Sequence, residues 1–528
     1  MISGKTNSKR LNLLRFMCLC SFVFFSVAGR AVVFDVTTAE EFQAALSAAS
    51  NNGGDDEIRM REGTYVGNFK YVPEESSALS IVGAGVGKTI LSGGGKAYVF
   101  FLSAKTFSPS LVFSQMEFRN TSTSVGSLLN LASNLGSSGG WNEGQVPSVK
   151  LMDTRLSSRE DGHTSVFVKS ADLYFENVGY VGGNISCETC SFAVHGSDVS
   201  IPSGEIEVGL MNVRDTKLKA LKIESNRSKG GQQAYSRFLS HRSEISVSEL
   251  LIYSNEFEIT NSSFKGSVIR FQAVGGEFSH NTVFQEGLTS GANAVVGFKM
   301  DQGQIFVRNN LFFGEYGAPS FSNFLELEMS SNTFAAGASI SPSNQGATQK
   351  VSNNIFGTST TGLQGLGAGF AEVAWLKNNI LPAPSTSVWD VDSGNIIGEP
   401  GFFDEESGDF HLSALSPAIN AGANDSVDSS DSLDLDGNPR VIDGAIDIGA
   451  YERNLTALHP ADTNGDSVIS SSEFEVYNGS WRTNEEWSSD PKTIPVDFVT
   501  RAGYLLQKGG GYKNIGVGKP ATWVPLNE

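Results

Sequence analysis

The sequence reads Asn-Asn-Leu-Phe at 309–312, Ser-Asn-Thr-Phe at 331–334, Asn-Asn-Ile-Phe at 353–356 and Asn-Asn-Ile-Leu at 378–381. The second residue of each stretch is Asn, and these Asn residues recur at intervals of 22, 22 and 25 residues. A repeat of this length is typical of a solenoid. Three strands of four or five residues plus their corners need roughly 20–25 residues, which is one coil of a parallel β-helix.

The repeated Asn also predicts how the coils stack. Asn tolerates the left-handed backbone of a tight corner, and its amide can bond the same amide on the next coil. The apolar residue that closes each stretch is predicted to point inward and stack on its equivalents. A leucine-rich repeat fits less well because Phe and Val dominate here, and a β-sandwich would not keep its corner Asn in step. We therefore predict an all-β chain built on a parallel β-helix.

Length and charge narrow the class of protein further. The chain has 528 residues, with 58 Gly and 35 Phe, which suits a coil that grows along one axis with many corners and an aromatic interior. The net charge is −19, and residues 385–528 hold eight Lys/Arg against 24 Asp/Glu. This acidic balance argues against a nucleic-acid partner. It suits calcium binding and solubility better.

The first 31 residues are predicted to be a signal peptide. Lys5, Lys9 and Arg10 precede an apolar stretch at 16–29 that is too short to anchor in a bilayer. The sequence Ser-Val-Ala at 26–28 fits the small-residue rule for cleavage. No later stretch is long and apolar enough to span a membrane. We therefore expect a secreted or cell-surface protein without a membrane span in the mature chain.

A short helix is predicted directly after the first strand of the mature chain. Thr38 and Glu41 have the spacing of a capping box, and Phe42 and Leu46 follow at the spacing of one helix face. Such a helix can plug the open N-terminal end of a β-helix, whose bare strand edges would otherwise aggregate.

Cys187 and Cys190 are the two cysteines outside the predicted signal peptide. A Cys-x-x-Cys pair can bind metal or do redox work, but zinc needs further ligands and the chain has only six His. A local disulfide and two packed thiols are the remaining interpretations.

The Asn repeat is predicted to stop after Pro384. Later the chain reads Asp-Leu-Asp-Gly-Asn-Pro-Arg at 434–440 and Asp-Ile-Gly-Ala-Tyr-Glu at 447–452. Together with the N-terminal helix and the Asn-Phe coils, this ending resembles bacterial exported right-handed β-helix proteins of the pectin-lyase-like type. In that family the ending is called a choice-of-anchor segment and precedes varied surface-attachment tails. The resemblance implies a right-handed β-helix at 32–384, a C-terminal cap at 385–453 and a separate module at 454–528.

Asp434, Asp436 and Asp447 lie within this ending. Their clustering in the sequence allows two interpretations. The three carboxylates could hold a cation, or they could belong to a solvated C-terminal cap.

The strongest chemical motif lies in the predicted C-terminal module. Its oxygen-bearing residues have the spacing of a 12-residue EF-hand loop, and the hard Ca²⁺ ion prefers such an all-oxygen cage. The predicted ligands are Asp462, Asn464, Asp466, the carbonyl of Val468, Ser470 and Glu473. Position 6 is Ser467, where the sharp turn normally requires Gly.

Predicted helices at 474–481 and 495–506 flank this loop, and the arrangement resembles a dockerin-like module that docks exported enzymes onto scaffolds. A true dockerin pairs two calcium loops, and the sequence contains one. Scaffold docking is therefore a weaker expectation than calcium binding.

The candidate catalytic residues come from a second resemblance, to β-helix polysaccharide lyases. In those enzymes an outward Lys or Arg removes a proton next to a uronate carboxylate, and Ca²⁺ or a second basic group neutralises that carboxylate. Outward positions at the same place in successive coils are found by counting back 11 residues from a corner Asn. From Asn281 and Asn310 this count reaches Arg270 and Lys299, and Lys222 lies two coil lengths before Arg270. Lys222, Arg270 and Lys299 are therefore predicted to form a basic ladder, spaced about 5 Å per coil.

Two functions remain open. The chain could be a lyase that cleaves an acidic polysaccharide by β-elimination. Alternatively, it could be a non-catalytic surface or adhesion β-helix that binds glycans or cells, because outward Lys and Arg also keep a sheet soluble.

Overall fold

A computed structural model gives the fold of this chain. The residues it describes are 30–120, 127–133, 146–158, 163–188, 190–226, 237–286, 295–314, 319–336, 338–341, 347–357, 363–364, 371–384, 389–413, 415–426, 431–442, 444–454, 458–514 and 520–525. Nearly all of the predicted signal peptide therefore lies outside the described residues. Residues 227–236 also lie outside the described residues. They belong to a stretch rich in Lys and Arg that runs from Arg214 to Arg242.

The described residues are mostly β-strand, with three α-helices. The helices are α1 (Ala39–Ala48), α2 (Ser471–Thr483) and α3 (Val496–Gln507). The strands, in chain order, are β1 (Val33–Val36), β2 (Asp56–Met60), β3 (Gly63–Val66), β4 (Phe69–Tyr71), β5 (Leu79–Val82), β6 (Thr89–Ser92), β7 (Tyr98–Ala104), β8 (Ser110–Ser114), β9 (Glu117–Arg119), β10 (Ser127–Ser133), β11 (Ser148–Met152), β12 (Arg155–Ser157), β13 (Thr164–Lys169), β14 (Asp172–Glu176), β15 (Gly179–Val181), β16 (Asn184–Glu188), β17 (Ser191–His195), β18 (Asp198–Val208), β19 (Leu210–Arg214), β20 (Lys217–Asn226), β21 (Arg237–His241), β22 (Glu244–Tyr253), β23 (Glu256–Thr260), β24 (Ser263–Gly266), β25 (Val268–Ala273), β26 (Gly275–Ser279), β27 (Thr282–Gln285), β28 (Val295–Met300), β29 (Gln304–Arg308), β30 (Leu311–Gly314), β31 (Ser320–Ser322), β32 (Glu326–Ser330), β33 (Thr333–Phe334), β34 (Ala338–Ser341), β35 (Ala347–Ser352), β36 (Ile355–Phe356), β37 (Leu363–Gln364), β38 (Ala371–Lys377), β39 (Ile380–Leu381), β40 (Val391–Ser393), β41 (Ile396–Ile397), β42 (Phe402–Asp404), β43 (Asp409–Leu412), β44 (Tyr512–Asn514) and β45 (Trp523–Pro525).

Strands β1 to β41 stack in parallel along three faces, which confirms the predicted parallel solenoid. Sheet 1 has 16 strands: β1, β2, β5, β8, β11, β14, β17, β19, β21, β23, β26, β29, β32, β35, β38 and β40. Sheet 2 contains β3, β6, β9, β12, β15, β18, β20, β22, β24, β27, β30, β33, β36, β39 and β41. Sheet 3 contains β4, β7, β10, β13, β16, β18, β20, β22, β25, β28, β31, β34 and β37. The long strands β18, β20 and β22 belong to both sheet 2 and sheet 3.

The interior of the solenoid is a column of apolar side chains, as the sequence predicts. Phe312 stacks on Phe334 with ring centroids 5.0 Å apart, and Phe334 stacks on Phe356 at 5.3 Å. All three rings are buried. Because each coil places its Phe over the Phe of the previous coil, the aromatic contacts continue along the axis and hold successive coils together.

The predicted column of stacked corner residues also forms, and we call it the corner column. The two roles predicted for each Asn are, however, taken by two successive residues. Asn309, Ser331 and Asn353 adopt the left-handed conformation, with φ of 53°, 56° and 57°. The Asn that follows each of them is buried and hydrogen-bonds to the next coil. One residue cannot easily do both, because the left-handed residue turns the chain and the next residue then points inward.

The corner column is longer than the Asn repeat. Oδ1 of Asn281 accepts the backbone N–H of Ser262, and Ser243 and Thr216 occupy equivalent positions in earlier coils. At the other end, Oδ1 of Asn395 accepts the backbone N–H of Asn379.

Strands β40 and β41 pair with β38 and β39, so the solenoid continues to Ile397. The prediction that the repeat stops after Pro384 is therefore wrong. The last coil keeps the corner Asn as Asn395, but Ile397 stands where several earlier coils have Phe.

Helix α1 begins after the predicted capping box. Thr38 accepts the backbone N–H of Glu41, and the Glu41 carboxylate accepts the backbone N–H of Thr38. The buried ring of Phe42 contacts Phe69 with centroids 4.7 Å apart and lies 6.4 Å from Tyr65. The helix therefore packs on the first coils of the solenoid, and its role as a plug for the open end stays a prediction.

The segment after Ile397 folds back along the corners of the solenoid. Asn353 donates to the carbonyl of Ala423 at 3.0 Å and accepts the Ala423 N–H at 2.8 Å. The ring of His280 bonds the carbonyl of Leu433 at 3.1 Å. Because His280 and Asn353 lie three coils apart in the corner column, the segment lies along the side of the solenoid and does not cap only its end.

The C-terminal part of the chain has its own small core. Helices α2 and α3 match the two predicted helices, and β44 pairs with β45 in antiparallel orientation. Tyr477, Leu505 and Trp523 are fully buried in this core. Among the described residues, no helix combines the length and apolar character needed to cross a bilayer.

Cys187 and Cys190 form a disulfide within this fold. Cys187 lies on β16 of sheet 3, and both cysteines are buried. This agrees with the first of the two interpretations left open by the sequence, the local disulfide.

Candidate functional site

The predicted catalytic residues Lys222, Arg270 and Lys299 all lie on sheet 3. Arg270 and Lys299 are exposed, and their neighbours in sequence, including Phe271 and Phe298, are buried as predicted. Lys222 is half-buried, and Leu221 beside it is 45% exposed where an inward side chain was expected. A register shift in the pairing of β18 with β20, before Lys222, accompanies this difference.

The three residues do not form the predicted ladder. In the register of sheet 3, Arg270 pairs with Gly297, and Lys299 pairs with Gln272. Lys222 pairs with Glu205 on one side and Glu249 on the other. Each of the three therefore stands in a different column, so the prediction of a single basic column is wrong. Coil lengths vary along the chain, and a count from the corner Asn does not transfer between coils.

Lys222 is held by acidic neighbours. Its ammonium group lies 2.8 Å from the carboxylate of Glu224. The hydrogen bond that Lys222 donates to Glu224 raises the pKa of Lys222 above its ordinary value, and the charges of Glu205 and Glu249 act in the same direction. A protonated lysine cannot accept a proton, so this environment does not suit a general base.

A groove of about 550 Å³ opens on the outer face of sheet 1. Strand β26 begins there with Gly275 and Gly276. Gly275 takes an outward position between Glu256 and Gln304, and its missing side chain leaves space on the face. The groove is lined by Arg237, Asn255, Glu256, Phe257, Glu258, Val274, Gly275, Gly276, Glu277, Gly303, Gln304 and Phe306.

The charges in this groove are mostly negative. Arg237 lies 2.8 Å from Glu258 and 3.7 Å from Glu256, so one guanidinium group serves two carboxylates. Glu277 is the next residue in the column of Glu258 and accepts a hydrogen bond from Ser279 at 3.1 Å. Phe306 follows in the same column and presents a ring to the groove.

A cluster of charged residues occupies the corner of sheet 1 beside this groove. We call Arg214, Asp215, His241 and Arg242 the corner cluster. Nε and Nη2 of Arg242 donate to the two carboxylate oxygens of Asp215 at 2.6 and 2.8 Å. Nε of Arg214 lies 3.3 Å from the same carboxylate. Two guanidinium groups thus share one carboxylate, and the cluster has an excess of positive charge.

The hydrogen bonds of His241 define its tautomer. Nη1 of Arg242 lies 2.8 Å from Nε2 of His241, and Nδ1 of His241 lies 2.6 Å from Oγ1 of Thr260. Because a guanidinium group can only donate, Nε2 is the acceptor and carries no proton. Nδ1 therefore holds the proton and donates to Thr260.

His241 is neutral for two physical reasons. Burial lowers the pKa of the imidazole below its ordinary value, and the positive charges of Arg242 and Arg214 lower it further. Asp215 and Glu258 act in the opposite direction but do not cancel these effects. The corner cluster therefore presents a neutral imidazole that contacts the guanidinium group of Arg242, in a strand position paired with Arg214.

The corner position explains why these side chains meet. Asp215 and Arg242 both have left-handed backbones, with φ of 49° and 46°, and they take the turn position in consecutive coils. Arg214 and His241 precede them and pair directly in sheet 1. The sequence shows a basic stretch here, but the alignment of the two coils depends on a register that no motif marks.

The predicted calcium ligands lie in one loop that leads into α2. Oδ1 of Asp462 accepts the backbone N–H groups of Gly465 and Asp466, and Oδ2 accepts the N–H of Ser467. Ser467 adopts the left-handed conformation with φ of 59°. The loop thus makes the sharp turn that an EF-hand loop requires, although Ser stands where Gly is usual.

The loop contains the kinds of oxygen ligand that Ca²⁺ binds. Asp462, Asp466 and Glu473 supply carboxylates, and Asn464, Ser470 and the carbonyl of Val468 supply neutral oxygens. The side chains are arranged for internal hydrogen bonds, with Glu473 accepting N–H groups from Thr463, Asn464 and Ser470. In the described parts of the chain, no group of three or more His, Cys, Asp or Glu side chains is placed to hold a metal.

Of the three carboxylates considered in the predicted C-terminal cap, two are buried and all three have hydrogen-bond partners. Asp434 and Asp447 are buried, and each accepts backbone N–H groups, including those of Glu452 and Arg453. Asp436 bonds Nε2 of His411 at 2.7 Å. These contacts account for the three carboxylates without a cation, and the prediction of a solvated cap is wrong for Asp434 and Asp447.

Comparison with known proteins yields limited similarity. No protein-family model matches this chain, and no curated protein matches it. Among solved structures, a point variant of the PL6 family alginate lyase AlyGC is 14% identical with a TM-score of 0.34, over 78% of this chain and 60% of that chain. The structure of AlyGC itself is 14% identical with a TM-score of 0.30, over 75% of this chain and 58% of that chain. This chain spans less than two thirds of the length of both, and the similarity concerns the parallel β-solenoid alone.

Proposed function

We propose that this chain binds an acidic polysaccharide on the outer face of sheet 1 and cleaves it by β-elimination. The corner cluster supports this proposal best, because Arg214 and Arg242 share the single carboxylate of Asp215. Guanidinium groups bind carboxylates through paired N–H donors. The excess positive charge of the cluster therefore suits the carboxylate of a uronate sugar.

The groove on sheet 1 suits the neighbouring sugars. It begins at Arg237, four residues before His241 on the same strand, and four strand residues span about 13 Å. Its glutamates can accept hydrogen bonds from sugar hydroxyls and would repel a second uronate carboxylate, so the groove suits a polymer in which a neutral sugar lies next to the reacting uronate, as in chondroitin. Phe306 adds an apolar surface for a sugar ring.

The reacting site would then lie on sheet 1 and not at the predicted residues Lys222, Arg270 and Lys299 on sheet 3. Lys222 is paired with Glu224, and Arg270 and Lys299 stand in separate columns. Glu205 and Glu249, on the two strands that flank Lys222, offset the charge of Lys222. A catalytic role for the trio stays a prediction, and it is a rival to the corner cluster.

The test is an absorbance assay for unsaturated uronates, with pectate, alginate and chondroitin as substrates. We expect product from the wild-type chain and a loss of at least tenfold in rate for Arg242→Gln. The triple variant Lys222→Gln, Arg270→Gln, Lys299→Gln provides the comparison. Loss of activity in the triple variant alone would place the reaction on sheet 3.

A non-catalytic glycan-binding protein is the second candidate. The observation that favours it is the pairing of its basic groups, since Lys222, Arg237 and Arg242 all contact carboxylates of the chain itself. Retarded migration of the protein in gels containing a polyuronate, without unsaturated product on any of the three substrates, would support this candidate.

We propose further that the loop at 462–473 binds Ca²⁺ and that the chain is exported. The loop has a calcium-binding donor set, and its turn is formed. Export is supported by the basic and apolar pattern of residues 1–31, and would be checked by the N-terminal sequence of protein recovered outside the cell. Docking onto a surface scaffold through the C-terminal module is part of the same proposal, with one calcium loop where a dockerin has two.

A further inference from the structure

The corner cluster contains a proton acceptor that the sequence did not single out, the Nε2 atom of His241. Nε2 of His241 is unprotonated because it accepts from Nη1 of Arg242, and Thr260 holds the proton on Nδ1. An imidazole with a free base form at neutral pH is the usual general base of enzymes. Its neighbours are two arginines, which is the partner set that a carboxylate substrate requires.

We propose that His241 accepts the proton in the cleavage of a uronate polysaccharide, with Arg214 and Arg242 holding the carboxylate of the reacting sugar. This inference rests on the proposed function and assigns its reacting groups. The chemical class of the ligand is a polymer in which a uronate is linked through its 4-oxygen.

The bonds of Arg242 show how substrate binding would release the imidazole. Asp215 holds Nε and Nη2 of Arg242, so Nη1 is the edge directed at His241. A substrate carboxylate that bonds Nη1 competes with Nε2 of His241 for that donor. Binding of the carboxylate therefore frees the lone pair of Nε2 beside the sugar that carries it.

The reaction balances with these groups alone. Nε2 of His241 takes the proton from C5 of the uronate, next to the carboxylate. The electron pair of that C–H bond forms the C4–C5 double bond, and the bond from C4 to the glycosidic oxygen breaks. The imidazolium then returns its proton to the departing oxygen, which becomes a hydroxyl group. Arg214 and Arg242 stabilise the negative charge that builds on the carboxylate during proton removal.

Two positive and two negative side chains act in opposite directions on the pKa of His241. The charges of Arg214 and Arg242 favour the neutral form of the ring, whereas those of Asp215 and Glu258 favour the protonated form. Thr260 bonds Nδ1 and is a positioning residue, because it orients the ring without contacting substrate.

The first experiment replaces His241 with Gln in the full chain and measures kcat/KM on each polyuronate. We expect a loss of about 10²–10⁴-fold, the usual contribution of a general base. The control is His163→Gln, because His163 is an exposed histidine directly before β13. This variant should retain the wild-type rate. Circular dichroism shows whether each variant folds. Thr260→Val is the second variant, with a smaller expected loss in kcat and an unchanged KM.

The second experiment measures the pH profile of kcat/KM. Activity should rise with pH through the pKa of His241, which lies below the ordinary histidine value. Arg214→Gln removes one of the charges that lower this pKa, so the rise should move to higher pH. If the wild-type chain gives no product on any polyuronate, both the function and this inference are overturned. An active wild-type chain with an equally active His241→Gln variant, or with a profile that Arg214→Gln does not move, overturns this inference alone.

Discussion

Oδ1 of Asn332 accepts two hydrogen bonds from Asn310, one from the backbone N–H at 3.0 Å and one from Nδ2 at 2.9 Å. Nδ2 of Asn332 in turn donates to the carbonyl of Val307 at 2.8 Å. Both Asn side chains are fully buried. At the corner the chain leaves the sheets, so buried backbone N–H and C=O groups have no partner in a neighbouring strand. The Asn side chain forms the hydrogen bonds that these buried groups need.

Replacing Asn332 by Ala should therefore cost about 3 kcal/mol of unfolding free energy, since several buried polar groups lose partners at once. The measurement is urea denaturation followed by circular dichroism. Ser262→Ala is the matched control, because Ser262 holds the same position in the column with a smaller side chain, and it should cost about 1 kcal/mol. Equal losses for the two variants would show that the Asn side chains add nothing beyond the Ser positions.

Gly449 should tolerate no side chain where the C-terminal segment meets the solenoid. Its φ is +107°, and a Cβ would lie 2.6 Å from Cδ1 of Ile355 and 3.0 Å from Oγ1 of Thr333. We expect Gly449→Ala to cost about 3 kcal/mol through backbone strain and overpacking. Gly437 has a φ of +85° with open space around it, so Gly437→Ala should cost only the strain of about 1 kcal/mol.

Thermal melting and limited proteolysis would check this difference. The 385–453 segment should be cleaved faster in Gly449→Ala than in Gly437→Ala. Equal melting temperatures for the two variants would mean that the segment does not pack closely on Ile355 and Thr333.

His411 should make the stability of the C-terminal segment depend on pH. The hydrogen bonds that His411 donates to Asp436 and Asp409 raise the pKa of His411 to about 9, and the bond to Asp436 has the larger effect. Because this pKa is above the unfolded value of about 6.5, the stabilisation is complete below pH 6.5 and is lost as the pH rises to about 9. The ring is 42% exposed, so solvent screening limits the contribution to about 1 kcal/mol.

The measurement compares wild type with His411→Gln at pH 6 and pH 9.5. Wild type should be more stable than the variant at pH 6, and the difference should vanish at pH 9.5. The comparison between variants matters because burial also raises the pKa of Glu452 to about 8, which changes stability in the same range. A constant difference between the two proteins would contradict the role given to His411.

Ca²⁺ should stabilise the C-terminal module, because an ion that binds only the folded loop adds its binding free energy to folding. Chelation should lower the melting temperature, and Glu473→Gln should weaken binding at least tenfold in calorimetry. Gln keeps the N-terminal hydrogen bonds that Glu473 makes to Ser470, so the helix remains capped. Glu475→Gln removes an exposed carboxylate two residues away and should bind Ca²⁺ like wild type. Absence of binding heat in wild type would end the calcium proposal.

The candidate site was only partly predictable from sequence. The outward direction of Arg270 and Lys299 followed from alternation along one strand, and the structure agrees. The alignment of coils did not follow, since it depends on the length of every loop between them. For the same reason the corner cluster was missed, because Asp215 and Arg242 are 27 residues apart and meet only through the register of sheet 1.

What the sequence alone determined is the chemistry of each coil. The Asn-Phe repeat, the capping box of Thr38 and Glu41 and the turn of the 462–473 loop depend on residues within a few positions of one another, so local pattern predicts them. Only the tertiary structure decided which side chains of different coils stand together, and that the segment after Ile397 lies along the solenoid. Those contacts depend on the length of each loop between coils, which varies while the corner column stays aligned, and no local pattern encodes that length.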